Sequence, residues 1–126
     1  VAMCVERGAG SLRLIVLWFL SGVAGTYASI YSVPPPYDVG SGASQAIMGV
    51  SAGAIVVMRR NRNHPRWLKV GVVLTIGMAA GLDLVSSYSL KPGHIVGFLV
   101  GLIAAIGIVP KSPIDLETNK KASPDV

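Results

Sequence analysis

The chain has 126 residues, of which 52% are hydrophobic and 13% are charged, and its mean hydropathy is +0.60. Because soluble domains typically carry about 25% charged residues, this composition argues against a water-soluble domain and favours a protein embedded in the lipid bilayer. The single cysteine, Cys4, excludes an internal disulfide bond and a cysteine-based metal site. We expect no metal and no cofactor.

Four long stretches of the chain contain no Asp, Glu, Lys or Arg. They are residues 14–37, 39–58, 70–82 and 92–110. A helix that crosses the bilayer needs about 20 mainly apolar residues, whereas membrane-barrel strands show alternation over about 10 residues. We therefore predict one all-α membrane domain, a bundle of four transmembrane helices. The predicted spans are 12–31, 43–59, 67–88 and 93–110, and a cytoplasmic tail follows at 111–126.

Basic residues concentrate on one side of this predicted topology. With four spans, the N-terminal segment, the turn after the second span and the C-terminal tail lie on the same side of the membrane. Of the 11 Lys and Arg, Lys91 is the only one outside these three regions. Because Lys and Arg favour the cytoplasmic side of short loops, we predict that both termini are cytoplasmic. The basic residues of these cytoplasmic regions also account for the pI of about 9.7. Because topology explains these charges, we expect no nucleic-acid partner.

Two polar side chains fall at matching depth in this topology. The second and fourth spans both begin at the outer face, near Ser44 and His94 respectively. An ionisable residue inside a span is costly and indicates a function, and an imidazole can activate a nearby Ser hydroxyl. We predict that Ser44 is a nucleophile and His94 its general base, with the site open to the extracytoplasmic side. Gly42, Ser44 and Gln45 are predicted to receive the peptide backbone and its oxyanion.

Two further polar residues have alternative interpretations. Ser51 lies in a Gly-Val-Ser-Ala-Gly sequence that matches the G-x-S-x-G motif of soluble hydrolases. That motif requires a strand-to-helix turn, so we reject Ser51 as a nucleophile. Asp83 is the only acid inside a predicted span. The sequence favours capping or a watery crevice for Asp83, and a triad-like role that orients His94 is the alternative.

Small residues at four-residue spacing predict how the helices pack. Such spacing lets helix backbones approach closely in lipid, where no hydrophobic effect drives their association. We expect packing through Gly49 and Gly53 on the second span and through Gly97 and Gly101 on the fourth. The same spacing occurs in the other two spans, at Ser21, Gly25 and Ser29 and at Gly77 and Gly81.

The motifs resemble those of the rhomboid family of intramembrane serine proteases. Its patterns are G-x-S-G and A-H-x-x-G-x-x-x-G, which match Gly42-Ala43-Ser44 and then His94, Gly97 and Gly101. The segment from Glu6 to Gly25 also resembles the family's third helix and its approach. The resemblance implies that the four spans correspond to rhomboid helices three to six. It also implies a Ser–His dyad without an essential acid, which cleaves transmembrane protein substrates near small, helix-breaking residues.

The chain also departs from the family pattern. Gln45 replaces the Gly after the serine, Gly93 replaces the Ala before the histidine, and Met48 takes a position that is often aromatic. The family's first two helices are not found in the sequence, and with them the second-helix His and Asn that help bind the oxyanion. We therefore expect a fragment that is incomplete as an enzyme.

Two other functions remain as alternatives. One is a non-catalytic rhomboid-like protein that binds client transmembrane helices, although such proteins usually lack the Ser or the His. The other is a small four-helix transporter. Proton coupling in a transporter would favour a carboxylate near the middle of the membrane, whereas Asp83 lies near one end of its span.

Overall fold

The structure is a computed structural model that describes residues 1–32, 42–60, 65–87 and 91–110. Over these ranges the chain is helical and contains no strand, which confirms the all-α prediction. The helices are α1 (Ala2–Ala9), α2 (Ser11–Ser32), α3 (Gly42–Arg60), α4 (Arg66–Ser87) and α5 (Pro92–Ile108).

The four long helices match the predicted spans, with ends that differ by no more than two residues. Helices α2, α3 and α4 are long and apolar enough to cross a membrane. Helix α5 is a shorter apolar helix of 17 residues, which lies at the lower limit of about 17–25 residues for a bilayer-spanning helix. The chain is therefore a helical membrane bundle. The predicted tail and outer loops lie largely outside the described residues.

The sequence pattern did not predict α1. This short helix buries Cys4, Val5 and Ala9 against α2 and α3, and leaves its charged residues exposed. The chain then turns into α2 at Gly10, whose φ of 93° lies in a region that favours glycine. Arg13 follows the turn and donates from Nη1 to the Ala9 carbonyl at 2.8 Å. Because α1 has only eight residues and carries charges, its apolar face gave no membrane-span signal.

Helix α3 is the centre of the bundle and packs against all the other helices. We compare the most apolar 18-residue window of α2, α3 and α4. In α3, 61% of this window is buried, compared with 22% in α2 and 17% in α4. Leu17, Val57 and Ala105 are fully or almost fully buried in one apolar core. Helix α4 packs mainly on α3 and leaves most of its surface exposed.

Backbones approach closely where α3 crosses α5. A Cβ atom added to Gly97 would lie 2.6 Å from the Gln45 carbonyl oxygen, and Gly101 lies directly against the backbone of Gly49. In contrast, a Cβ atom added to Gly77 or Gly81 on α4 would meet nothing within 4 Å. Gly49, Gly53, Gly97 and Gly101 therefore make close helix contacts within the described bundle, whereas Gly77 and Gly81 do not.

Candidate active site

The candidate site lies at one end of the bundle, where three polar side chains converge. Ser44 is in the first turn of α3, His94 is in the first turn of α5, and Asp83 is in the last turn of α4. Pro92 begins α5, as suits a residue that has no N–H to donate in the first turn. The antiparallel course of the helices thus brings together residues that are far apart in the sequence.

Ser44 and His94 are within hydrogen-bond distance. His94 Nε2 lies 2.9 Å from Ser44 Oγ, although 50 residues separate the two positions. Both side chains are partly buried. A neutral imidazole with an unprotonated Nε2 accepts a hydrogen bond from the Ser hydroxyl. This is the spacing required between a serine nucleophile and its general base.

The other ring nitrogen of His94 contacts Asp83. His94 Nδ1 lies 2.6 Å from Asp83 Oδ2. Because an ionised carboxylate only accepts hydrogen bonds, this contact places a proton on Nδ1. In the neutral ring, Nε2 is then unprotonated and faces Ser44. Ser44, His94 and Asp83 therefore form a continuous chain of hydrogen bonds across three helices.

Asp83 is buried, with 2% of its surface exposed. Its Oδ2 also accepts a hydrogen bond from the backbone N–H of Lys91 at 3.1 Å. Lys91 immediately precedes α5, so the carboxylate fixes both the start of α5 and the ring of His94. The sequence favoured capping or a watery crevice for this residue, whereas the structure brings it to His94.

Gln45 follows Ser44, and its side chain contacts α2. The side chain is buried, and its Nε2 donates to Ser29 Oγ on α2 at 3.4 Å. Its Oε1 lies 3.5 Å from Ser44 Oγ, which is long for a hydrogen bond. Gly25 and Gly93 leave room for this side chain, because a Cβ atom on either would contact it at 3.1 Å or less. An oxyanion role at this position would therefore involve the backbone, and it stays a prediction.

Ser51 has a different environment from Ser44. It is fully buried, and its Oγ donates to the Ile47 carbonyl one turn earlier at 2.8 Å. This bond within one helix is the usual arrangement of a structural serine. Ser51 therefore has the geometry of a packing residue.

An apolar cavity of about 220 Å³ adjoins the acid–histidine pair between α3, α4 and α5. Met48, Ile76 and Phe98 lie on its wall with Asp83 and His94. Among the described residues, no group of three or more His, Cys, Asp or Glu could hold a metal ion. The chemistry that this site offers is proton transfer and nucleophilic attack by the serine.

Comparison with known proteins identifies the family. The family model for the rhomboid domain matches residues 1–111. The chain belongs to the rhomboid family. It is also 31% identical over 114 residues to a protein named rhomboid protease GluP of Bacillus subtilis (strain 168). That match covers 89% of this chain but 22% of the relative, so the chain spans about a fifth of the relative's length. No solved structure matches the chain.

Membership of the family confirms the resemblance drawn from the Ser44 and His94 motifs. Together with the apolar helices, it makes the chain an integral, multi-pass membrane protein. The residue that the sequence placed beside His94 only as an alternative is Asp83. Its signal in the sequence was the single acid of this helix, near the end that the topology places beside His94.

Proposed function

We propose that the chain carries the catalytic centre of a rhomboid-type intramembrane serine endopeptidase. The observation that carries this proposal is the 2.9 Å distance between Ser44 Oγ and His94 Nε2. A relative that is 31% identical is named a rhomboid protease, which supports the same chemistry. Ser44 acts as the nucleophile and His94 as the general base.

The proposed reaction follows from the two contacts of His94. Nε2 removes the Ser44 proton while Oγ attacks the carbonyl carbon of the scissile peptide bond. The resulting imidazolium gives that proton to the leaving amine, and the C–N bond breaks. The acyl group then remains on Ser44. Water, deprotonated by His94, attacks the acyl carbonyl, and the proton returns to Ser44 Oγ as the acid product leaves.

The oxyanion would form beside the first turn of α3. Ser44 is the third residue of that helix, and a helix N-terminus carries a partial positive charge that stabilises an anion. Gly42 and Gln45 flank the same turn. A Cβ atom added to Gly42 would lie 2.7 Å from Thr26 Oγ1, so the missing side chain accommodates α2. Further oxyanion donors come from other parts of the whole protein in this proposal.

Transmembrane proteins are the proposed substrates. The candidate site lies at the end of an apolar bundle, within a turn or two of the helix ends, so a segment that enters from lipid reaches it. Peptide bonds in a regular helix are already hydrogen-bonded and tightly wound. Small, helix-breaking residues near the cleaved bond would expose its carbonyl to Ser44.

The site is proposed to open to the extracytoplasmic side. Ser44, His94 and Asp83 share one end of the bundle, whereas Arg59, Arg60 and Arg66 lie at the other end of the same helices. Since Lys and Arg favour cytoplasmic loops, the end that carries Ser44, His94 and Asp83 lies on the extracytoplasmic side. Both chain termini are cytoplasmic in this orientation.

Substitutions at the two residues test the proposal in the full-length natural protein. Ser44→Ala and His94→Ala should each abolish cleavage of a model transmembrane substrate, a loss of about 10⁴-fold or more. Ser51→Ala is the matched control, because it removes a hydroxyl from the same helix and should retain most activity. Membrane insertion should be normal in all three variants. Unchanged cleavage by the Ser44→Ala variant would show that another residue is the nucleophile.

A further inference from the structure

The rhomboid resemblance implies a Ser–His dyad, but the site contains a third polar group. Asp83 is buried and is the only acid in α4. Keeping an ionised carboxylate away from water is costly unless hydrogen-bond donors satisfy it. The described donors are His94 Nδ1 at 2.6 Å and the Lys91 backbone N–H at 3.1 Å, and both bind the same atom, Oδ2. These hydrogen bonds connect the acid to His94 and to the start of α5.

We propose that Asp83 is a positioning residue that fixes the tautomer and the orientation of His94, so that the proposed protease works with three residues. This inference rests on the proposed function of Ser44 and His94. The Asp83 carboxylate accepts the Nδ1 proton, which leaves Nε2 unprotonated towards Ser44 Oγ at 2.9 Å. After His94 takes the Ser44 proton, the same carboxylate stabilises the imidazolium.

The packing of α4 gives this contact a second consequence. Helix α4 packs mainly on α3, and 17% of its most apolar window is buried. Hydrogen bonds from Asp83 to His94 and to the Lys91 backbone join the end of α4 to the start of α5. The orientation of the imidazole therefore depends on where the end of α4 lies. A substitution on α4 that leaves the Asp83 carboxylate in place should therefore leave the ring of His94 in place.

The test compares Asp83→Asn, Asp83→Glu and Thr75→Val in the full-length protein. An Asn at position 83 keeps the size of the side chain but brings an N–H group that opposes the required tautomer. We expect kcat to fall by between about tenfold and 10⁴-fold, the upper figure being the loss when a serine-protease triad Asp becomes Asn. KM should change little. Asp83→Glu restores a carboxylate and should recover part of kcat.

Thr75→Val is the matched control on α4. Thr75 donates to the Gly71 carbonyl of its own helix at 2.8 Å, so its loss removes a polar group from α4 without affecting His94. This variant should keep the wild-type kcat. A fluorophosphonate probe, which bonds covalently to an activated serine, should label Ser44 more slowly in Asp83→Asn by the same factor as kcat. The melting temperature in detergent should be close to that of the wild-type protein.

A double variant separates positioning from a structural role. Since Asp83 acts through His94, adding Asp83→Asn to His94→Ala should cause no further loss of the residual labelling rate. A further loss there, a matching fall in melting temperature, or wild-type labelling of Ser44 in Asp83→Asn would overturn the role of Asp83. If the wild-type protein itself does not react with the probe, the proposed protease function fails instead.

Discussion

The two ends of the helix bundle use polar side chains in different ways. At one end, Ser44, His94 and Asp83 hydrogen-bond to one another through side chains from three helices. At the other end, arginine side chains bind backbone carbonyls at helix ends. The same apolar helices thus separate the candidate active site from a region where arginine side chains connect helix ends.

Arg60 shows what the basic end does beyond setting topology. It extends from the last turn of α3 and donates from Nη2 to the Ile106 carbonyl at 2.8 Å, and from Nη1 to the Val109 carbonyl. The last carbonyls of a helix have no intrahelical donor, and the C-terminal end carries a partial negative charge. Arg60 therefore caps α5 and connects it to α3. Charge counts alone could not distinguish this residue from its neighbour Arg59.

The largest expected effect is an all-or-none difference in labelling between the two ends. Cysteines replace Ser32, at the end of α2, and Arg66, at the start of α4, in a Cys4→Ser background; both positions are exposed. Burial raises the pKa of the native Cys4 thiol above its usual value, and its replacement removes residual signal. An impermeant maleimide added to intact cells should label position 32 and not position 66. The reverse pattern would contradict the proposed orientation.

A smaller effect, of about a hundredfold or more, should separate the 126-residue chain from an upstream-extended form that carries the family's first two helices. We expect the 126-residue chain to lack oxyanion donors at the end that carries Ser44 and His94. Losing one such donor costs about 10²–10³ in turnover. The end that carries Arg59, Arg60 and Arg66 should be the same in both forms, so both should insert in membranes with the same topology. Cleavage of one model transmembrane substrate by equal amounts of the two forms measures the difference. Equal rates would mean that the four long helices suffice.

The smallest effect is expected at the basic end. Arg60→Ala removes the cap on α5 and should lower the free energy of unfolding by about 0.5–2 kcal/mol. Arg59→Ala is its matched control, because it removes the same charge from an exposed neighbouring position and should have little effect. Unfolding in mixed detergent, followed by circular dichroism, compares them. Equal losses in the two variants would show that charge, and not the cap, matters there.

The helices could be predicted because their signal is local. Long charge-free stretches fixed the ends of α2 to α5 to within two residues, since lipid demands continuous apolar helices. Counting spans also placed Ser44 and His94 at the same end of the bundle, because consecutive spans alternate in direction. The motifs around these two residues indicated the family, which the family match confirms.

Three features could not be predicted in this way. Helix α1 is short and charged, so its apolar face became apparent only once α2 and α3 covered it. The glycine spacing on α4 looked the same as that on α5, but a Cβ atom added to Gly77 or Gly81 would meet nothing within 4 Å in the part of the chain that the structure describes. Asp83 had two interpretations until the end of α4 was placed beside His94.

The sequence by itself determined that this is a multi-span helical membrane protein of the rhomboid type, because hydropathy and motif spacing are properties of neighbouring residues. Only the tertiary structure decided which side chains meet. Rotation of each helix about its axis selects the residues that face a neighbour, and that rotation depends on packing between all the helices at once. The apolar pattern of a helix is compatible with several rotations about its axis. His94 contacts Ser44 and Asp83 in the rotation that the packed bundle adopts.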